Sequence, residues 1–391
     1  MKRRDLLRWS AGAPAGLVLG AGFWRRAYAA PATPGPGPYG PLAAGPDANG
    51  LRLPAGFRSR VVATSGHPVA PTAHVWHFAP DGGACFAMPD GGWAYVSNSE
   101  LATFLGGAAM IRFDAAGAVV EARTILGGTN RNCAGGPTPW GTWLSCEEWD
   151  LGQVWECFLD GRPAERRHDL GTFAHEAVAV DPARRRLYLT EDRPDGRFYR
   201  HTPGCWPDLS SGRLSAAKVT WDDAQQFGGT IKWNDVPDDI SARTWPMSTY
   251  TTGFNGGEGC WYDDGLVYFT TKGDNRVWSY DASTERLEVV YDAALDPASP
   301  LRGVDNLVAS KSSDLFVAED GDNMQICLLT PEAPGGGRTV APFLEIVGHE
   351  GSEVTGPAFT PAGDRLYFSS QRGPNGGGVG MTFEVQGPFR C

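Results

Sequence analysis

Acidic side chains recur in this chain at the ends of short apolar runs, in a pattern suited to holding cations. Asn132, Glu176, Glu258, Asp305 with Asn306, and Glu353 each open a run rich in Gly, Ala and Val. A second set closes the run that follows: Asn98 and Glu100, Glu147 with Glu148, Glu191 with Asp192, and Glu319 with Asp320. One carboxylate at a strand end is ordinarily a solvated residue or a turn cap. A set in register is different, because like charges held together repel unless they are protonated or neutralised by cations. Several oxygen ligands suit calcium, and Cys146 beside Glu147 adds a softer donor that tolerates iron or another transition metal. Cys146 has an alternative reading as the disulfide partner of a neighbour such as Cys157. His175 could orient the carboxylate of Glu176 or act as a general acid, and a single histidine at a strand start also has a purely structural reading.

The elements that carry these residues repeat. Each unit is an apolar strand, a turn with Asp, Gly or Pro, and a second strand ending in polar or acidic residues. Examples are NCAGGPTPWGTWLSCEE (132–148) and HEAVAVDPARRRLYLTED (175–192). Centred on the second strand, six units fall at Val96, Leu144, Leu189, Phe269, Val317 and Phe368, spaced by 48, 45, 80, 48 and 51 residues. Several strands in a period of about 40–50 residues mark propeller blades. The expected fold is therefore an all-β, six-bladed β-propeller over residues 51–391, with extra strands or loops between Arg200 and Gly257. The first strand of each pair is expected innermost, so that both acidic sets open at one mouth of the central tunnel. Trp76, His77, Trp140 and Trp143 are expected to pack between blades.

Composition agrees with many short strands. Gly 52, Pro 30 and Trp 14 among 391 residues, without a long apolar helical stripe, indicate tight turns and an all-β chain. Lys2-Arg3-Arg4-Asp5-Leu6-Leu7 resembles a twin-arginine export motif, followed by a weakly apolar stretch too short to span a membrane and by Ala27-Tyr28-Ala29. Residues 1–29 are thus expected to be a signal peptide, and 30–50, rich in Pro, Gly and Ala, an extended mobile linker. From residue 30 onward 28 basic residues face 44 acidic ones, a formal charge of −16, which argues against nucleic-acid partners. The eight cysteines fit an oxidising compartment, periplasmic or secreted, and none of their spacings is a zinc CxxC pair. The chain contains no Gly-rich nucleotide loop, GxSxG elbow or HExxH, and no evident dimer interface, so a monomer is expected.

The runs GPLAAGPDANGLRLPAGF, APDGGACFAMPDGGWAYVSNSE, NRNCAGGPTPWGTWLSCEE, HEAVAVDPARRRLYLTEDRPDGRFYR and EVTGPAFTPAGDRLYFSS resemble the PhoX family of alkaline phosphatases, from about Tyr39 to the C-terminus. The resemblance implies twin-arginine export and phosphomonoester hydrolysis at an iron–calcium cluster (Fe3+ and Ca2+) in the mouth of a six-bladed propeller. Cys146, Glu258 and Glu353, with Glu176 a weaker match, are the ligands it implies. It also implies cations for the substrate phosphate near the NCAGG and EVTG elements. Arg131 and Arg372 are the nearest there, and Arg193 and Lys272 are further candidates. Two other readings stay open: a calcium-dependent lactonase or esterase with a histidine base, and a propeller that binds metal without catalysis.

Overall fold

A computed structural model describes residues 31–237, 247–321, 323–331 and 337–390. The expected signal peptide at 1–29 lies outside them. Described helix is limited to three- and four-residue turns, and the rest of the regular structure is β. Four-stranded antiparallel meanders radiate in a propeller-like arrangement. They run from Pro80 to Thr129, Asn132 to Arg166, His175 to Trp221, Gly257 to Asp292, Val304 to Ile346, and Val354 to Gln386 with a strand from the N-terminal side. The meanders beginning at His175 and Gly257 are fused into one nine-stranded sheet. Gly228–Asp235 pairs with both Asp208–Trp221 and Arg286–Asp292, which accounts for the long repeat spacing.

The first strands of the meanders touch one another in sequence order, and Val354–Phe359 closes the circle against Pro80–Ala87. Their small residues follow from this crowding. A Cβ on Gly136 would lie 1.7 Å from Val178 O, and one on Gly82 would lie 2.5 Å from Ala134 Cα. The second strands, such as Trp93–Ser99 and Thr142–Glu147, are buried along their whole length because a sheet covers each face. Aromatic rings fill the wedges between meanders, with Phe198 stacked on Phe269 at 4.3 Å and Trp76 and Trp143 fully buried.

The N-terminal segment departs from the expected mobile linker. Arg58–Thr64 pairs with Met381–Gln386 and completes the last meander's sheet. Before it, Thr33–Pro34 and Leu51–Arg52 pair with Thr339–Ile346, and Tyr39 packs edge-on against Phe57 and Phe343. The Pro and Gly of this segment make an extended strap on the outer sheet edge.

A candidate metal centre at the mouth

Each first strand is bulged immediately after it opens. Register shifts follow Pro80, Asn132, His175, Gly257, Val304 and Thr355. A bulge interrupts the two-residue alternation and re-aims side chains. The residue just past the first paired position is Asp81, Cys133, Glu176, Glu258, Asp305 or Thr355, and the first five carry acid or thiol groups. The residues that leave the second strands are Glu100, Glu148, Asp192, Lys272, Asp320 and Gln371.

These residues converge. Ligand atoms of Cys133, Glu148 and Glu176 lie within 4.8 Å of one another, as do those of Asp81, Glu100 and Glu353, and those of Glu176, Glu258 and Asp305. Glu176 belongs to two of the trios. Burial pushes the carboxyls of Asp81, Glu176 and Asp305 well above the usual range, and neighbouring carboxylates add to it. Burial likewise raises Glu148 to about 8 and Glu353 to about 9, with Asp192 and Asp305, respectively, as the leading charged neighbours. Glu258 rises to about 8 through burial, although Lys272 pulls against it. Buried Glu176 Oε2 has no hydrogen-bond partner. An orphaned carboxylate oxygen among hard donors, with one thiol beside it, fits bound cations of the calcium and iron type.

The paired acids divide into two jobs. Glu147 accepts backbone N–H bonds from Asn130 at 2.8 Å and Gln153 at 3.1 Å. Glu191 accepts from Arg197 N at 3.1 Å and the Tyr199 hydroxyl at 2.9 Å, and Glu319 accepts from Arg302 N. These three clamp loops, while their successors Glu148, Asp192 and Asp320 lie among the charges of the mouth. Asn306 ties the ring together: its amide donates to Asp305 Oδ1 at 2.9 Å and its oxygen accepts from Gly356 N at 3.0 Å.

Four cations stand around the acids. Lys272 Nζ lies 2.8 Å from Glu258 Oε1 and 3.3 Å from Asp320 Oδ2. Arg372 donates to Glu353 Oε1 at 2.8 Å. Arg193 is held by Asp150 at 2.9 Å with Glu148 at 3.8 Å, and exposed Arg131 is close enough to favour ionised Glu100.

Besides the expected ligands Glu147, Glu191 and Glu319, which clamp loops and belong to none of the trios, two further expected residues stand elsewhere. Cys146 faces an apolar cluster with Val154, Leu170 and Phe173, because its strand alternates and Ser145 and Glu147 take the opposite face. The seven described cysteines are free, and no Cys146–Cys157 bridge forms, since Cys157 opposes Trp143 and not Cys146. Cys133 is the thiol at the mouth, its Sγ 3.3 Å from Glu176 Oε1. His175 packs on the Phe173 ring at 3.6 Å, its Nε2 is 3.2 Å from Gly171 O, and burial lowers it to about 3, so it is a neutral core residue. Asp81 and Cys133 were missed in the sequence, and their signal is an acid or thiol one residue before the Gly or Ala of the bulge, a pattern they share with Glu176 and Glu258.

Comparison with known proteins agrees with this fold. A family model described as alkaline phosphatase PhoX matches residues 88–157 and 160–286, just over half of the chain. No curated protein matches. Among solved structures, Pseudomonas fluorescens PhoX in complex with vanadate, a transition state analogue, is 16% identical, with 89% of this chain and 97% of that chain covered and a TM-score of 0.71. A Bacteroides thetaiotaomicron protein of unknown function is 9% identical, with coverage of 84% and 76% and a TM-score of 0.52. At these identities the likeness shows a shared fold.

Proposed function

Because this chain belongs to the PhoX family of alkaline phosphatases, and is a phosphatase on that ground, we propose that it hydrolyses phosphomonoesters at a calcium- and iron-binding mouth of a six-bladed propeller. Six blades are supported by the six meanders and by the closed circle of their first strands. The observation that carries the reading is the convergence of three ligand trios, one containing Cys133, with orphaned Glu176 Oε2 among them. Asp81, Glu100, Glu176, Glu258, Asp305 and Glu353 would hold calcium, and Cys133 with Glu148 and Glu176 would hold iron. Ions bound there supply Lewis acidity to a phosphate ester.

The chain's own cations do the rest. Lys272 and Arg372 are each tied to a carboxylate at the mouth, which holds them in place to receive phosphoryl oxygens. Arg131 and Arg193 extend the positive rim and would draw the dianion past the acidic rings. The motif at Arg3-Arg4 supports twin-arginine export to the periplasm or medium, and a monomer fits the absence of a dimerisation motif.

The test is p-nitrophenyl phosphate hydrolysis at alkaline pH with calcium supplied, in wild type and Glu258→Gln. The expected result is calcium-dependent turnover that falls at least a hundredfold in the variant, a loss of the size typical for one stabilising group. Wild-type turnover that is indifferent to calcium, or a variant with full activity, would remove the mouth from the mechanism.

A further inference from the structure

The rim carries an apolar feature that the phosphoryl chemistry does not use. Among the large apolar side chains of the described residues, the three most exposed are Phe104, Leu105 and Leu151, at 62%, 69% and 61%. All three lie in the two loops that follow Trp93–Ser99 and Thr142–Glu147, the second strands of successive sheets. Arg131 joins these loops: its N–H donates to Leu101 O at 2.8 Å and its carbonyl accepts from Glu148 N at 2.8 Å. Phe104 meets the half-buried Trp149 ring edge-on, with centroids 6.3 Å apart. One loop starts with Glu100 and the other with Glu148, both members of the trios, so the two loops that carry the apolar patch begin at the mouth.

The backbone of the first loop is strained to make this display. Thr103 and Phe104 have φ of 59° and 61°, a left-handed conformation that a β-branched and a bulky residue disfavour. Burial would offset that cost, yet both side chains are exposed. Strain that presents an aromatic ring to solvent beside a reactive centre points to ligand contact.

We infer that Phe104, Leu105 and Trp149 form a shelf for the leaving group, which makes aryl and other apolar phosphomonoesters the preferred substrate class. The inference rests on the phosphoryl site proposed above. Hydrolysis breaks the ester P–O bond, forms a P–O bond to the oxygen of water, and releases an alcohol that takes up a proton. The alcohol portion must therefore lie outside the phosphoryl centre, and the shelf borders it on the side of Glu100 and Glu148. An aromatic ring laid on it removes apolar surface from water on both partners, whereas a glycerol or sugar group gains nothing there.

The test measures binding by calorimetry, with phenylphosphonate and methylphosphonate as unreactive probes and calcium supplied to the full chain. Wild type is compared with Phe104→Asn and Leu105→Ser, exposed changes of which the first also suits the left-handed backbone. Wild type is expected to bind the phenyl probe about three- to tenfold tighter than the methyl probe, as an aromatic contact would give. The ratio should fall toward one in both variants, with methylphosphonate affinity unchanged. Relative kcat/KM for phenyl phosphate over glycerol phosphate should fall in parallel. An unchanged ratio, or an equal loss for both probes, overturns the shelf alone. A variant that shifts only the sedimenting mass would instead assign the patch to a second copy of the chain, and also overturns it. Failure of wild type to bind either probe removes the phosphoryl site itself, and the shelf with it.

Discussion

Cys133 and Cys146 bracket one hairpin, and their different surroundings separate the proposed metal ligand from a core residue. Cys133 Sγ lies 3.3 Å from Glu176 Oε1, while Cys146 is fully buried among apolar side chains. Cys133→Ser is expected to lose iron while keeping the fold, as elemental analysis and a thermal melt would read. Cys146→Ser should retain the metal and lose about 1–3 kcal/mol of stability, because a hydroxyl enters an apolar cluster. The opposite pattern would return Cys146 to the site. A second residue effect concerns His201, which is buried with both ring nitrogens unpartnered and is lowered by burial to about 4. Its folded pKa lies below the unfolded value, so its contribution is complete above pH 6.5 and is lost as pH falls toward 4. At about 1.36 kcal/mol per pKa unit the loss is about 3 kcal/mol. Urea titrations of wild type and His201→Phe at pH 7 and pH 4.5 check this, and the variant should show a smaller drop.

At the scale of elements, the bulges decided how much of the site could be read in advance. The repeat period, the inner position of the Gly-rich strands and the acidic strand ends are properties of composition and spacing, and all were legible. The identity of the inner ring was harder, because strict alternation assigns Asn132 to a position that the bulged strand fills with Cys133. Glu353 still reaches the cluster, from one residue before its strand. The Glu-Glu and Glu-Asp pairs were legible as acids, but not in their division into loop clamps and mouth groups, which depends on nearby backbone N–H donors. Close approach of the first strands makes a sharper demand. Gly136→Ala would place a methyl 1.7 Å from the Val178 carbonyl, a backbone atom that cannot swing aside. The expected cost is about 3 kcal/mol or more, read as a lower denaturant midpoint, and a neutral result would mean that the strands are not packed this closely.

At the scale of the whole molecule, ring closure depends on the N-terminal side of the chain. Arg58–Thr64 supplies the outer strand beside Met381–Gln386, so the last sheet is completed by residues from the other end of the sequence. Such a closure cannot be inferred from repeat spacing, since a lone strand ahead of the first unit looks like any edge strand. The strap before it has a lesser role: it adds short pairings to Thr339–Ile346 and seats Tyr39 against Phe57 and Phe343. Two truncations separate these roles. Removing residues through 43 takes away Tyr39 and the first pairing but leaves the closing strand, so the protein should fold and turn over substrate, with a lower Tm. Removing residues through 64 exposes the edge of Met381–Gln386, whose unpaired N–H and C=O groups invite pairing with another chain. The expected outcome there is insoluble or aggregated protein without activity, read by size-exclusion chromatography. Since the mouth draws Asp81 from the first sheet and Glu353 from the last, opening the ring separates the two halves of one ligand trio. A soluble and active product of the longer truncation would therefore mean that first-strand contacts hold the circle closed without that outer strand.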